Sequence, residues 1–365
     1  MKRVPFAVVV VFFAIGAGAC RERNVTGAAP GPAAAPAPAA ASRPLRIAMI
    51  AKSASNPSFV AARTGAENRA RELSASLGRP ITIEWLTPPQ EDGAVQAQRI
   101  AQAVKEGMDG VLLSCSDART ATPAIDAAVA HGVPVMTFDS DAPDSRRFAY
   151  CGVDDIKTGE MIMEELARLV PRGAHVAVLA GNRAAPNLSR RVEGILHEAA
   201  RHPDIKVVGT FYTVETPEEA SATVIQIDAA HPDIDGWAMV GGWALYTRTL
   251  LNELQQDPKG GPRRSRRKPV KIVSINALPP QLEYVEAGLA PVLFAQPTYL
   301  WGEMGVDAIV DKVTGRKPVP AHINAELVRV SSDNLRVWAR QLRAWGFADV
   351  PEELLGQDPQ KVPEK

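Results

Sequence analysis

The sequence lacks the motifs that mark common enzyme classes and metal sites. Its 365 residues include three cysteines and six histidines, and the histidines show no paired metal-ligand spacing. We find no Gly-x-Gly-x-x-Gly fingerprint after a strand, no Gly-Lys-Ser/Thr phosphate loop and no Gly-x-Ser-x-Gly nucleophile elbow. The sequence therefore predicts a protein that is not an enzyme and that needs neither a metal nor another cofactor.

An excess of charge of one sign is also absent. The 41 Lys and Arg residues balance the 41 Asp and Glu residues, so no overall field favours nucleic acid, and we predict no nucleic-acid partner. The apolar fraction of 46% and the charged fraction of 22% are typical of a globular protein. The length allows two domains, each with its own core.

The first 20 residues have the pattern of an export signal. Lys2 and Arg3 precede an apolar run over 4–14, and small residues lead to Cys20. A cysteine at this point resembles a bacterial lipobox, although Ala17 stands where a larger aliphatic residue is usual and ordinary cleavage stays open. We predict a signal peptide, a lipid anchor on Cys20 and a location in the cell envelope or periplasm.

Residues 21–44 are rich in alanine and proline. Such a segment buries too little surface to fold, so we predict a tether. A transcriptional regulator would need a DNA-binding helix-turn-helix here, and the leader and tether argue against one. Cys115 and Cys151 are the other cysteines; they are either buried as small apolar side chains or paired, and the sequence leaves both possibilities open.

From position 45 onward, short apolar runs alternate with longer amphipathic segments, which predicts repeated βα units. In the first half we expect strands at 46–52, 81–86, 110–114 and 133–138, and helices at 57–77, 93–106 and 119–131. In the second half we expect strands at 174–180, 205–213, 236–240, 270–276, 291–296 and 326–330, and helices at 188–201, 218–230, 243–256, 280–287, 298–314 and 333–345. The predicted fold class is α/β, with two Rossmann-like lobes built on parallel sheets.

Ligands of such sheets bind beyond the carboxyl ends of the strands, so the residues that follow each strand are the candidate site. The polar residues at these positions in the first half are Lys52, Asn56, Ser114, Asp139 and Asp141. A carboxylate such as Asp139 accepts charge-assisted hydrogen bonds from ligand hydroxyls. Helix capping by Asn56 and turn formation by the two aspartates are the structural alternatives.

The corresponding positions of the second half hold Asn187, Ser189, Trp243, Asn276 and Gln296. The amides offer both a donor and an acceptor to a hydroxyl ligand. The Trp243 indole follows two glycines and offers a flat face to a sugar ring, although it could equally be part of the core. We interpret Arg191, further into its helix, as a structural residue.

Several spaced motifs give the chain a family resemblance over residues 45–345. They are IAMI at 47–50 followed by NPSF at 56–59, GVLLS at 110–114, PVMTFDSD at 134–141, the segment 187–194, HPDIDG at 231–236 and AQP at 295–297. With these motifs the chain resembles the periplasmic sugar-binding proteins of the ribose-binding type, which are related to the effector domains of lactose-repressor-like regulators.

The resemblance implies ligand contacts for Asn56, Phe59, Asp139 and Gln296. It implies the substrate-binding component of an ABC importer, a monomer that captures a sugar, polyol or nucleoside-like molecule and delivers it to a permease. A binding protein that reports to a chemoreceptor or sensor kinase is the alternative. Ser58, Ser140, Asn276 and the Gly-Gly-Trp at 241–243 depart from the family pattern, so ribose itself is not expected.

The resemblance also implies three chain crossings between the lobes, near residues 154, 296 and 324, which would act as a hinge. The expected first lobe comprises 45–154 and 297–323, and the expected second lobe comprises 155–296 and 324–346. Residues 347–365 are expected to form a C-terminal tail.

Overall fold

The computed structural model describes residues 43–254 and 270–356. The predicted signal peptide, Cys20 and nearly all of the predicted tether lie outside the described residues, as does the last part of the expected C-terminal tail. Among the described residues, no helix is both long enough and apolar enough to cross a membrane.

The first lobe is a six-stranded sheet in the order β11-β5-β4-β3-β1-β2, with every pairing parallel. Successive residues of a strand face opposite sides, so Ile47 and Met49 join one apolar cluster while Ala48 and Ile50 join the other. The strands are β1 (Leu45–Ile50), β2 (Ile81–Trp85), β3 (Gly110–Leu113), β4 (Val135–Phe138), β5 (Ala149–Gly152) and β11 (His322–Asn324). The helices are α1 (Pro57–Leu77), α2 (Gly93–Lys105), α3 (Ala118–Ala130) and α9 (Thr298–Thr314).

The second lobe repeats this strand order as β12-β10-β9-β8-β6-β7, with β12 antiparallel to β10. Its strands are β6 (His175–Ala180), β7 (Lys206–Tyr212), β8 (Ile234–Met239), β9 (Lys271–Ile275), β10 (Val292–Ala295) and β12 (Val328–Val330). Its helices are α4 (Asp155–Leu169), α5 (Pro186–Ala199), α6 (Pro217–Ala230), α7 (Thr249–Leu254), α8 (Pro279–Glu286), α10 (Leu335–Ala344) and α11 (Glu352–Leu355).

Side chains close the ends of several helices and fix where the βα loops turn. Asn56, Asp92 and Asp117 accept hydrogen bonds from the first-turn amides of α1, α2 and α3, which satisfies donors that a helix leaves unpaired. The buried Gln96 amide donates to the carbonyls of Ala51 and Ser114, at 2.9 and 2.8 Å. This contact ties the carboxyl ends of β1 and β3 together, where the candidate site begins.

Each lobe also contains one pair of helices that cross at glycines. A side-chain carbon at Gly65 of α1 would lie 2.0 Å from the Tyr299 carbonyl oxygen of α9, and one at Gly159 of α4 would lie 2.1 Å from the Arg191 carbonyl oxygen of α5. Real Cβ atoms do not approach this closely, so only glycine allows these backbones to touch. The two lobes therefore share a helix-packing device as well as a strand order.

The chain passes between the lobes three times. Residues 153–154 lead from β5 to α4, residues 296–297 lead from β10 to α9, and residues 325–327 lead from β11 to β12. All three passages lie at the sheet edges formed by β5 and β11 in one lobe and by β10 and β12 in the other. The predicted α/β fold with two lobes and a three-crossing hinge is confirmed.

Some elements differ from the predictions. The strands β5 and β11 and the helix α4 were not among the predicted elements. The helix expected over 243–256 is a short 3₁₀ turn at Trp243–Leu245 followed by α7. The expected C-terminal tail contains α11, and Val350 and Leu354 pack into the core of the second lobe.

Cys115 and Cys151 are free thiols. They lie in different apolar clusters of the first lobe, and burial raises the pKa of each thiol to about 12. The sequence left open whether these cysteines are paired or only buried. In the structure both are buried and they are not paired.

Candidate functional site

The carboxyl ends of the two sheets enclose a pocket between the lobes, which we call the inner pocket. It contains eight of the eleven predicted site residues: Lys52, Asn56, Phe59, Asp139, Asn187, Trp243, Asn276 and Gln296. Its other lining residues are Ser58, Leu188, Arg191, Glu215, Gly241, Ile275 and Trp301. Residues from both lobes and from a hinge passage thus meet at one place.

Asp139 follows β4 and is 5% exposed. Its Oδ2 accepts a hydrogen bond from the Ser114 hydroxyl at 2.9 Å, and its Oδ1 accepts one from the Asn187 amide at 3.1 Å. The Arg191 guanidinium lies 3.9 Å from Oδ1. These partners satisfy both oxygens of a nearly buried carboxylate and hold it at the pocket wall.

Asn187, at the start of α5, links the lobes through its side chain. While its amide donates to Asp139, its Oδ1 accepts a hydrogen bond from the Lys52 ammonium at 3.2 Å. Burial alone would lower the pKa of Lys52, but the nearby carboxylates of Glu215, Glu91 and Asp139 raise it above its ordinary value. Lys52 is therefore a buried cation held by surrounding negative charge.

Arg191 is 2% exposed and is fixed from two sides. Its Nε donates to Asp155 at 2.8 Å and its Nη1 donates to the Val240 carbonyl at 3.1 Å. Burial raises the pKa of Asp155 to about 6, although Arg191 opposes this rise. The remaining nitrogen, Nη2, lies 2.8 Å from Oδ1 of Asp155 and forms an ion pair with it, although it lacks hydrogen-bond geometry.

Asn276 follows β9 in the second lobe. Its amide donates to the Tyr246 hydroxyl at 2.8 Å and to the Ser58 hydroxyl at 3.2 Å, and the latter comes from the first lobe. The Tyr246 and Ser58 hydroxyls are themselves 3.2 Å apart. Tyr246 thus lies next to Ser58, one of the positions that depart from the family pattern.

Three residues that line the inner pocket each have a buried polar atom without a hydrogen-bond partner: Asn276 Oδ1, Gln296 Nε2 and Trp301 Nε1. Native proteins pair nearly all of their buried polar groups. Two such donors and one such acceptor on residues of one pocket are therefore suited to binding a polar molecule that supplies complementary groups.

Aromatic side chains form part of the pocket wall. Phe138 packs edge-on against Phe59 and tilted against Trp301, with ring centroids 6.3 and 6.0 Å apart. Trp243 lies so close to Gly241 and Gly181 that a Cβ at either glycine would come within 2.7 Å of the indole. Gly241 and Gly181 therefore make room for the ring, whereas Gly242 has an ordinary negative φ.

Asp139 and Asn276 share an unusual backbone conformation. They have φ values of +58° and +67°, and among the described residues they are the non-glycine residues with positive φ. Such a conformation is uncommon outside glycine and concentrates at functional sites. Both residues directly follow the fourth strand of their sheet in chain order, so they are equivalent positions of the two lobes.

Three predicted site residues lie outside the inner pocket. Ser114 is fully buried behind Asp139 and supports its carboxylate. Asp141 pairs with Arg147 and accepts a hydrogen bond from Thr137. Ser189 is exposed and its hydroxyl bonds back to carbonyls of its own helix. The ion pair of Asp141 and the hydrogen bonds of Ser189 to nearby carbonyls direct these two side chains away from the inner pocket.

Glu215, Tyr246 and Trp301 were not among the predicted site residues, and Arg191 was predicted to be structural only. Arg191 is indeed structural through Asp155, but it also lines the pocket. Its position could not be found from strand ends because it lies in the second turn of a helix. Glu215 does follow a strand, so the rule that selected Asp139 would have selected it as well.

Within the described ranges, no group of three or more His, Cys, Asp or Glu side chains is placed to hold a metal ion. The inner pocket is lined by carboxylates, side-chain amides, a guanidinium and two indoles. These groups together can bind a polar molecule.

Comparison with known proteins gives this pocket a context. Residues 47–317 match the family described as periplasmic binding protein domain. The ribose import binding protein of Bacillus subtilis is 24% identical over 273 residues, which cover 74% of this chain and 82% of the relative. The xylose/arabinose-binding protein of Sulfolobus acidocaldarius is 22% identical over 277 residues, covering 72% and 65%.

Solved structures agree with the fold. An ABC transporter solute-binding protein from Burkholderia graminis, in complex with D-arabinose, superposes with a TM-score of 0.72 and 25% identity, covering 80% of this chain and 97% of that protein. A glucose-galactose binding protein from Geobacillus stearothermophilus superposes with a TM-score of 0.69 and 22% identity, covering 80% and 99%.

Proposed function

Because this chain belongs to the periplasmic binding protein domain family, we propose that it is the substrate-binding component of an ABC importer that captures a sugar or sugar-like molecule between its lobes. Membership confirms the resemblance inferred from the sequence. It also agrees with the prediction that the chain is not an enzyme, since the family is one of binding proteins.

The observation that carries the proposal is the set of unpartnered polar atoms on residues that line the inner pocket. Gln296 Nε2 and Trp301 Nε1 are donors, and Asn276 Oδ1 is an acceptor. A sugar hydroxyl is both donor and acceptor, so a ring of hydroxyls can satisfy all three atoms. Asp139 adds a charged acceptor, and hydrogen bonds to charged groups are the stronger ones.

Ligand entry requires the lobes to separate. The inner pocket has a volume of about 30 Å³, room for only one or two water molecules. Contacts such as Lys52 with Asn187 and Ser58 with Asn276 join the lobes directly. In the proposed mechanism these side chains exchange such contacts for ligand hydroxyls, and the ligand favours closure by its differential affinity for the closed state.

Thermal-shift titration of the purified protein against sugars, polyols and nucleosides tests the proposal. A ligand that binds only the folded state raises the melting temperature with its concentration relative to its Kd. Asp139→Ala should abolish the shift given by the best ligand. Asp141→Ala is the matched control, because it removes a neighbouring carboxylate that lies outside the inner pocket. Equal shifts in both variants would refute the site.

Transport by an ABC permease is tested in cells. Deletion of the gene should abolish uptake of the ligand that stabilises the purified protein. Intact uptake together with loss of a transcriptional or chemotactic response would instead favour the sensory alternative. Small-angle scattering should show a more compact particle when that ligand is added.

The family implies action in the cell envelope. We infer in addition that the mature chain is a monomer held at the membrane by a lipid on Cys20 and a flexible tether. The leader pattern before Cys20 and the alanine- and proline-rich composition of 21–44 support this inference. Cys20→Ala should move the protein from the membrane fraction to the soluble fraction, and size-exclusion chromatography should give a monomer mass.

A further inference from the structure

A second chamber adjoins the inner pocket and is much larger than it. This side chamber has a volume of about 440 Å³, which is within the range of roughly 300–1,000 Å³ seen for small-molecule sites. Lys52, Asn56, Phe59 and Glu215 line both spaces. The two spaces are therefore neighbours that share one wall.

The position of the side chamber places it away from the hinge. Its first-lobe wall includes the loop after β2, with Gln90 and Glu91, and its second-lobe wall includes residues 213–217 after β7. β2 and β7 are the sheet edges opposite those where the chain passes between the lobes. The side chamber consequently lies on the open rim of the cleft, and the inner pocket lies between it and the hinge.

The side-chamber wall combines apolar and polar groups. Pro57, Val214 and Pro217 contribute apolar surface, and the Tyr246 ring adds an aromatic face. The polar part is well organised: the Asn182 backbone amide donates to Glu215 at 3.0 Å, and the Asn182 side chain donates to Glu91 in the other lobe at 3.0 Å. Such a mixed lining fits a second sugar unit or a heterocyclic base, each with an apolar face and a polar edge.

Lys52 separates the two spaces. It is 3% exposed, lines both of them and is held by Asn187 on the inner side. On the outer side the carboxylates of Glu215 and Glu91 keep its pKa raised. A ligand that spans both spaces would pass this ammonium, which can donate to the oxygen atoms between two linked units.

We propose that the side chamber is a second subsite, so that the ligand is a glycoside: a sugar ring in the inner pocket linked to a second unit in the side chamber. This inference rests on the proposed function, because it assumes that the inner pocket holds a sugar ring. It makes the size of the ligand, rather than its ring alone, the basis of specificity.

Isothermal titration with matched ligand pairs tests the inference: D-ribose against adenosine, D-xylose against xylobiose, and D-galactose against lactose. For the ring that the protein accepts, the two-unit compound should bind at least about tenfold more tightly than the free monosaccharide, a difference of about 1.4 kcal/mol. A monosaccharide that binds as tightly as its glycoside would overturn the inference.

Val214→Trp tests the side chamber independently of the inner pocket. Val214 is 64% exposed and lines only the side chamber, so an indole there should fill the chamber without disturbing the fold. We expect it to weaken the two-unit ligand about tenfold and to leave monosaccharide affinity within about twofold. Val60→Trp is the matched control, since Val60 is also exposed but lines neither space, and it should change neither affinity.

The possible failures are distinguishable. If Val214→Trp weakens both ligands of a pair equally, the side chamber is not a separate subsite and the inference is wrong. If monosaccharides bind without a gain from the second unit, the inference fails while the proposed function stands. If no sugar, polyol or nucleoside stabilises the wild-type protein, both fail together.

Discussion

The two lobes repeat one architecture but present different chemistry to the cleft. Asp139 and Asn276 occupy equivalent positions and share a left-handed backbone, yet one is charged and the other neutral. Both carboxylate oxygens of Asp139 have hydrogen-bond donors, whereas Oδ1 of Asn276 has no partner. The comparison teaches that the fold fixes where a ligand contact stands, and the neighbouring side chains decide what it binds.

The largest expected effect tests whether the lobes are built alike. Gly65→Val in the first lobe and Gly159→Val in the second should each destabilise the protein by about 3 kcal/mol, because each side chain would overlap a carbonyl of the partner helix. Chemical denaturation measures both. Ala75→Val, at an exposed position of α1, is the control for introducing a β-branched residue into this helix. A large loss of stability in only one of the two variants would show that the lobes do not share this helix packing.

A charge exchange tests whether the two strand-end positions are interchangeable. Asp139→Asn should weaken ligand binding about tenfold, since it replaces charge-assisted hydrogen bonds by neutral ones. Adding Asn276→Asp should not restore the affinity, because Ser114, Asn187 and Arg191 surround position 139 alone. Titration calorimetry on both variants measures this. Recovery of binding in the double variant would show that the lobes are chemically equivalent after all.

Sensitivity to pH should come from the second lobe. Burial raises the pKa of Glu215 to about 7, so the folded protein binds this proton more tightly than the unfolded chain does. The group therefore opposes folding increasingly as pH rises from about 4.5 to 7.

Glu215→Gln replaces this titratable carboxyl group by a neutral amide and provides the test. Relative to the variant, the wild-type protein should lose at least about 1 kcal/mol of stability between pH 5 and pH 7.5, the free energy of a single pKa unit. Denaturation curves at several pH values measure the difference. Parallel stability profiles for the two proteins would exclude Glu215 as the source.

The smallest effect is expected from reductant. Both described cysteines belong to the first lobe and are free and buried, so dithiothreitol should leave the melting temperature of the purified protein unchanged. A lower melting temperature in reductant would mean that a disulfide supports the first lobe and not the second.

Much of the fold could be predicted because βα alternation is a strong local signal. The alternation of 45–138 gave strands and helices close to β1 through β4, and the missed helix α4 carries the same signal, with Asp154 as its cap and Ile162 and Leu166 on its buried face. β11 has only three residues, too few for a period to appear, and its place follows from pairing with the distant β5. β5 has four residues, as β3 and β4 do, but no helix lies between it and β4, so βα alternation does not indicate it.

The site was predictable where a side chain follows a strand and unpredictable where a tertiary contact decides its direction. Asp139 and Asn276 belong to the first kind. Asp141 belongs to the second kind, because Arg147 draws it aside. Trp301 reaches the pocket from α9, a helix that returns to the first lobe after a hinge passage, and no local pattern indicates that return.

The short link between β11 and β12 limits how far the cleft can open at this edge. Three residues, 325–327, join Asn324 to Val328, so these two positions cannot move more than about 14 Å apart at roughly 3.5 Å per residue step. This edge acts as a pivot, and a given rotation displaces each part of the cleft in proportion to its distance from that pivot. A small rotation thus opens the far rim first, and the inner pocket, which lies nearer the pivot, needs a larger rotation before its interlobe contacts separate.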